Sequence, residues 1–325
     1  MSLMAPNPNI FRFSPALAQT GNNQHPTTLQ GRFARILVGT DFSDRSELAL
    51  EMALGLARRD GSELILAHVM SDKAHQEAAQ NTRSTRAEDQ PTYRLKRKLG
   101  SHLEHRDLGH VNTRTLVAHG NPAERMVALS KELHPDLIVV APSAKSTLER
   151  LWLGSTARSL LRDARAPVWI ARPNAKGTLR HIAVAMDYSP ASAQALRLAA
   201  AQALRQRAPL TLLHVAKDPG DIEVHAGQRP GQLDVQRQAN ERFRQHTQAL
   251  LEQLPKRPRQ IDTHVLYGPA RQELTRYAHS QNIDLLVIGH HHQSRLLETL
   301  RGATDQTLLD QVPCSLLVTR DPQHH

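Results

Sequence analysis

The chain offers little from which a disulfide framework, a base-stacking platform or a membrane span could be built. One cysteine, Cys314, occurs in 325 residues, so no internal disulfide can form. It lies in an apolar run near the C-terminus, which makes a buried structural thiol the expectation and fits a reducing compartment. Aromatic residues make up 3% of the chain, too few to stack the bases of single-stranded nucleic acid. No apolar run is long enough to span a bilayer, and the N-terminal stretch lacks the unbroken apolar core of a signal peptide. A soluble, cytoplasmic protein is expected. Paired carboxylates, a Ser-His-Asp set and a cysteine nucleophile are also missing from any one segment, so no enzyme activity is expected.

Positive charge is what the chain has in excess, with a formal net charge of +10. Acids are interspersed with the basic residues along most of its length, and the densest cluster, Arg94-Leu95-Lys96-Arg97-Lys98, reads as a solvated helix face. Nucleic acid is therefore not the expected partner. The alternative is a basic adaptor that uses this cluster and Lys256-Arg257-Pro258-Arg259, and it requires binding that weakens steeply with salt.

The organisation is set by an internal duplication. Arg35-Ile36-Leu37-Val38-Gly39-Thr40-Asp41-Phe42-Ser43 recurs as His181-Ile182-Ala183-Val184-Ala185-Met186-Asp187-Tyr188-Ser189, and at the same spacing of 146 His68-Val69 meets His214-Val215. Later the spacing is 148: Gly120 meets Gly268, Asp136-Leu137 meets Asp284-Leu285, and Gly154 meets Gly302. Two domains are expected, at 32–173 and 178–321, after a disordered tail of residues 1–31 that has no counterpart in the second copy.

Each copy alternates short apolar runs with amphipathic stretches. Strands are expected at Arg35–Thr40, Glu63–Val69, Thr113–Ala118, Asp136–Ala141 and Val168–Ala171, with equivalents that end at Leu316–Thr319. Helices are expected from a cap at Asp44 to about Asp60-Gly61, at about 91–107 and 232–254, and at Ala123–Leu133. Ser189-Pro190 is expected to cap the second copy's first helix differently, with Pro in the first turn. The fold class is α/β, with two tandem open parallel sheets of about five strands, each covered by helices on both faces.

Ligands of such sheets sit beyond the carboxyl ends of the strands, where the strand order reverses. The candidate segments are therefore Thr40-Asp41 and Asp187, Val69 and Val215, and the loop after strand four. That loop reads Ala141-Pro142-Ser143-Ala144-Lys145, then eight residues, then Gly154-Ser155-Thr156. The second copy has Gly289-His290-His291-His292-Gln293, then eight residues, then Gly302-Ala303-Thr304. With this spacing and the order of elements, residues 32–321 resemble the universal stress protein family, in its tandem form. The resemblance implies a Rossmann-like, adenine nucleotide alpha hydrolase-like fold and a non-catalytic stress-response or signalling role with an ATP site. It also implies an intramolecular pseudo-dimer whose last strands meet antiparallel, with association of two such chains into a homodimer as a further expectation.

Carried over residue by residue, the resemblance implies that Asp41 and Asp187 bind the ribose or adenosine end and that Val69 and Val215 meet adenine through the backbone. Ala141, Ser143, Ala144, Lys145, Gly154, Ser155 and Thr156 would surround the phosphates, as would Gly289, His291, His292, Gly302, Ala303 and Thr304. Small residues suit a backbone cradle, and a helix N-terminus adds partial positive charge. Both copies depart from the pattern. Alanine stands for both loop glycines in the first, strained if a positive φ is required, and Pro142 offers no N–H. In the second, His292 is bulky and Ala303 has no hydroxyl. The site is expected to be degenerate and, if kept, kept in the first copy. His290–His292 with His214 are the alternative, a metal-binding module, although no metal is expected because three consecutive residues cannot all face one ion.

Overall fold

The computed structural model describes residues 31–80, 90–142, 153–172, 178–216, 232–290 and 312–320. The first repeat runs β1 (Arg35–Gly39), α1 (Asp44–Asp60), β2 (Glu63–Met70), α2 (Asp72–Gln80), α3 (Pro91–Glu104), β3 (Asn112–His119), α4 (Pro122–Leu133), β4 (Leu137–Val140), α5 (Ser155–Asp163) and β5 (Val168–Ile170). The second runs β6 (Ile182–Met186), α6 (Pro190–Gln206), β7 (Leu210–Ala216), α7 (Gln232–Glu252), β8 (Ile261–Tyr267), α8 (Ala270–Ser280), β9 (Leu285–His290) and β10 (Ser315–Arg320). The short helix α2 was not expected; its sequence is polar, with no wide apolar stripe to announce it.

The strands form one sheet in the order β3-β2-β1-β4-β5-β10-β9-β6-β7-β8. All pairs are parallel except β5 with β10, where Trp169 lies opposite Leu317 and Val168 opposite Val318. Pairing the two terminal strands removes an exposed edge from each repeat. In each repeat the order reverses beside the first strand, between β1 and β4 and between β6 and β9.

Strand alternation sends side chains to two cores. Ile36, Val38, Leu64 and Leu66 join the side chains of α1 and α6, with Leu99 of α3 and Phe243 of α7. Leu37, Ile65 and Ala67 face the other way, onto α4, α5 and α8. Each core continues through both repeats, as does the sheet. At the amino ends of the strands one carboxylate in each repeat fixes the entry to the first strand. Asp136 Oδ2 accepts from the N–H groups of Ala34 (3.0 Å) and Arg35 (2.8 Å), and Asp284 Oδ2 accepts from those of Arg180 (2.6 Å) and His181 (3.0 Å).

Two local expectations are corrected. The cap of α1 is Ser43, whose hydroxyl accepts from Ser46 N–H; Asp44 is already the first helical residue. Ser189 caps α6 in the same way, accepting from Ser192 N–H, so the repeats share one capping chemistry and differ only by Pro190 in the first turn. The far end of α1 closes on Gly61 in the left-handed region, φ 65°.

Candidate functional site

The carboxyl ends of β1, β2 and β4 bring Thr40, Asp41, Val69 and Ala141 to one edge of the first repeat. Thr40 is buried and continues the ladder, its N–H donating to Ala67 O at 2.9 Å. Its hydroxyl receives Phe42 N–H at 3.0 Å and lies 3.0 Å from Ser46 Oγ. Asp41 is exposed, and its Oδ1 accepts from the Ser43 N–H (3.1 Å) and hydroxyl (2.5 Å). Partial burial pushes its carboxyl upward, but the hydrogen bonds from Ser43 and Ser46 outweigh this and hold it below the usual aspartate value. Asp187 is arranged alike, with Oδ1 at 3.1 Å from Ser189 N and 2.5 Å from its Oγ.

Val69 sits past the end of β1. The pairing of β1 with β2 stops at Gly39 and Ala67, while β2 continues three pairs further with β3. Ala67 O faces β1 and Met70 O accepts from Gly120 N–H on the β3 side. Alternation therefore turns the Val69 N–H and C=O toward the space beyond β1. Val215 has the same place beside β6, since Ala216 O accepts from Gly268 N–H across β8.

The fourth strands differ. In the first repeat β4 ends at Val140, and Ala141 is half-buried against the core. Ala141 is not among the residues with positive φ, so its methyl is unstrained. In the second repeat β9 continues through Gly289 and His290, which pair with Thr319 and Arg320 of β10. A Cβ on Gly289 would lie 2.3 Å from the carbonyl carbon and oxygen of Ala191, so α6 packs directly on this strand. Glycine is required here by close approach, not by left-handed backbone.

Gly154 precedes α5 in extended conformation (φ −64°, ψ 164°) and supplies no side-chain cap. Ser155 is exposed and Thr156 partly so, and the first-turn N–H groups of α5 have no acceptor within the helix itself. Ser143, Ala144, Lys145, His291, His292, Gly302, Ala303 and Thr304 lie outside the described residues. Among the described residues no group of three His, Cys, Asp or Glu is placed to hold a metal. Cys314 is buried, and burial pushes its thiol up to about 12, which makes it inert. The two basic clusters stand at opposite ends of the sheet, one on α3 and one leading into β8, and do not form one surface.

Residue types alone did not reveal the support beneath the acids. Phe42 and Tyr188 follow Asp41 and Asp187 in the left-handed region, φ 63° and 65°. Beneath them His68 Nδ1 bonds Thr40 O and His214 Nδ1 bonds Met186 O, each at 2.8 Å. The ring of Phe42 is 4.6 Å from that of His68 and 5.2 Å from that of His102, and Lys98 Nζ lies 3.9 Å from its centroid. Glu47 pairs with His102 (3.0 Å) and with Arg106. In the second repeat Tyr188 meets His214 at 4.6 Å and His246 at 4.8 Å, but Ala193 stands where Glu47 does. The repeated His-Val pair was visible in the sequence; its role depends on strand pairing.

An open sheet wound on both faces, with an acid and exposed strand-end backbone at its switch point, defines a Rossmann-like domain, here present twice. The model of the universal stress protein family matches residues 32–172 and again 178–320, and the chain belongs to that family as a tandem member. A universal stress protein of Mycobacterium tuberculosis is 32% identical over 139 residues, 43% of this chain and 45% of the relative, so the match spans under half of that protein. One from Bacillus subtilis is 30% identical over 152 residues, 43% of this chain and 99% of its own length. A universal stress protein from Archaeoglobus fulgidus has the same fold, with a TM-score of 0.60 over 92% of this chain and all of its own, at 15% identity.

Proposed function

We propose that the chain is a non-catalytic stress-response module that binds an adenine nucleotide such as ATP in the first repeat alone. The observation that supports this reading is the difference between the fourth strands. β4 stops at Val140 and leaves a loop to begin at Ala141, whereas β9 stays in the sheet through His290 with α6 against Gly289. Asp41 is then suited to accept from ribose hydroxyls, the Val69 backbone to meet the base edge, and the α5 N-terminus after Gly154 to face phosphate. Ser143, Ala144 and Lys145 complete the proposed site. The second repeat is proposed as a scaffold, its Asp187, Val215 and Gly302 keeping the form of a site. A cytoplasmic location, domain limits at 32–173 and 178–321, and a further homodimer belong to the same reading.

Native mass spectrometry of the untagged chain, as purified and with millimolar ATP, tests it. One nucleotide per chain is expected, lost on Gly154→Trp and kept on Gly302→Trp. No adduct at that concentration would sink the proposal, and two per chain would sink its restriction to the first repeat. Salt titration of binding to nucleic acid tests the basic adaptor, for which the separation of the two clusters gives no support.

A further inference from the structure

A left-handed backbone is unfavourable for an aromatic residue, so the turns at Phe42 and Tyr188 need support from outside themselves. Two supports lie within the turn of the first repeat: the Thr40 hydroxyl that receives Phe42 N–H and the Ser43 groups that hold Asp41. The first is lost in the second repeat, where Met186 replaces Thr40 and has no hydroxyl to offer. The turn is nevertheless unchanged, with Tyr188 at φ 65° against 63° for Phe42. What stays constant is the aspartate–serine pair, again at 3.1 and 2.5 Å, and beneath it the histidine. In both repeats Nδ1 lies 2.8 Å from the carbonyl just before the acid, and the ring lies 4.6 Å from the left-handed aromatic.

We propose that His68 is a positioning residue of the first-repeat site, whose Nδ1–H holds the Thr40 carbonyl and thereby sets the turn that presents Asp41. The inference rests on the nucleotide-binding reading given above. A carbonyl can only accept, so the imidazole carries its proton on Nδ1. The bond adds a side-chain tie between β1 and β2 just past their last register pair, beside the Thr40 N–H to Ala67 O bond that closes the ladder. His68 therefore links the backbone that would meet the base, at the next residue Val69, to the acid that would meet the ribose. His214 repeats the link at Val215 and Asp187.

Two substitutions separate the donor from the ring. His68→Asn keeps an N–H at the position of Nδ1 and removes the ring; His68→Phe keeps a ring and removes the donor. By calorimetric titration of the intact chain with ATP, His68→Asn is expected to bind within about twofold of wild type. His68→Phe is expected to bind about five- to tenfold more weakly, the worth of one such hydrogen bond. Unweakened binding by His68→Phe, or equal loss in both variants, overturns the inference. The second measurement is the intraresidue HN–Hα NOE of labelled Phe42, which is strong only at positive φ. It should persist in His68→Asn and fade in His68→Phe; its persistence in both counts against the role. If the wild-type chain binds no ATP, the functional reading fails, and the NOE alone decides whether His68 holds the turn.

Discussion

At the scale of single residues, burial sets how the two strand-end histidines respond to acid. Burial is the main influence on His68 and His214 and pushes both below 6.5; the bonded carbonyl and the nearby aspartate oppose it only in part. A base whose pKa is depressed on folding binds more protons in the unfolded chain, so it contributes stability above the unfolded value that is lost as pH falls. Urea unfolding should therefore show stability declining below pH 6.5, with a shallower decline in the His68→Asn, His214→Asn double variant. An identical slope would exclude these histidines as its source. Gly289 gives a second prediction. An added methyl meets backbone of α6 that cannot step aside, so Gly289→Ala should cost about 1–3 kcal/mol, measured by the urea midpoint. The sequence showed a glycine with the spacing of a phosphate loop; the structure puts it inside a strand. Motif spacing records distance along the chain and is silent on whether a neighbouring helix has closed over the backbone.

Elements were legible wherever an apolar run or stripe was strong. The strands from Arg35, Glu63 and Leu210 and the long helices at α3 and α7 stand within a few residues of expectation, because the strands bury most of their apolar positions and the helices anchor on Leu99, Leu103 and Phe243. Caps were harder, because several adjacent polar residues compete for one geometric position. Asp44 with Glu47 has the spacing of a capping box, yet Asp41 occupies the Ser43 N–H and fixes the cap one residue earlier. Ser43 consequently serves two groups: its oxygen accepts from Ser46 N–H while its own proton goes to Asp41. Ser43→Ala should cost about 1 kcal/mol through the lost cap. It should also raise the Asp41 pKa, since a hydrogen bond to the charged form is removed. Ser189→Ala should match it in stability, and carbon-detected NMR titration of Asp41 separates the two effects. An unchanged Asp41 pKa would mean that the Ser43 hydroxyl is not what keeps the acid ionised.

For the molecule as a whole, the decisive feature is that nothing in sheet or core stops at the join between the repeats. The antiparallel meeting of β5 and β10 was foreseeable from the resemblance, but the helix contact above it was not. Its partners are some 145 residues apart, and nothing in the residues around Asp60 or Arg205 ties one to the other. There Asp60, closing α1, is buried and receives Phe33 N–H at 3.0 Å together with the guanidinium of Arg205 on α6. Arg59 reaches Gln206 Oε1 at 2.8 Å, and Gln202 reaches Gly31 O at 2.9 Å. A carboxylate whose ion-pair partner is removed keeps its desolvation and loses its compensation. Arg205→Ala should therefore destabilise by about 2–3 kcal/mol, less than a fully enclosed pair because Arg205 lies at the rim and Phe33 N–H remains. If the repeats are one cooperative unit, that loss appears as a single shifted transition. Trp169, fully buried on β5 opposite Leu317, reports the join directly once Trp152 is replaced by Phe. Its fluorescence and the far-ultraviolet circular dichroism should unfold at the same urea concentration, in wild type and in Arg205→Ala alike. Separated transitions in the wild type would mean that each repeat holds itself together and that the shared sheet couples them only weakly. Separation in Arg205→Ala alone would make the Asp60 ion pair, rather than the strand pairing, the bond that makes the two repeats one molecule.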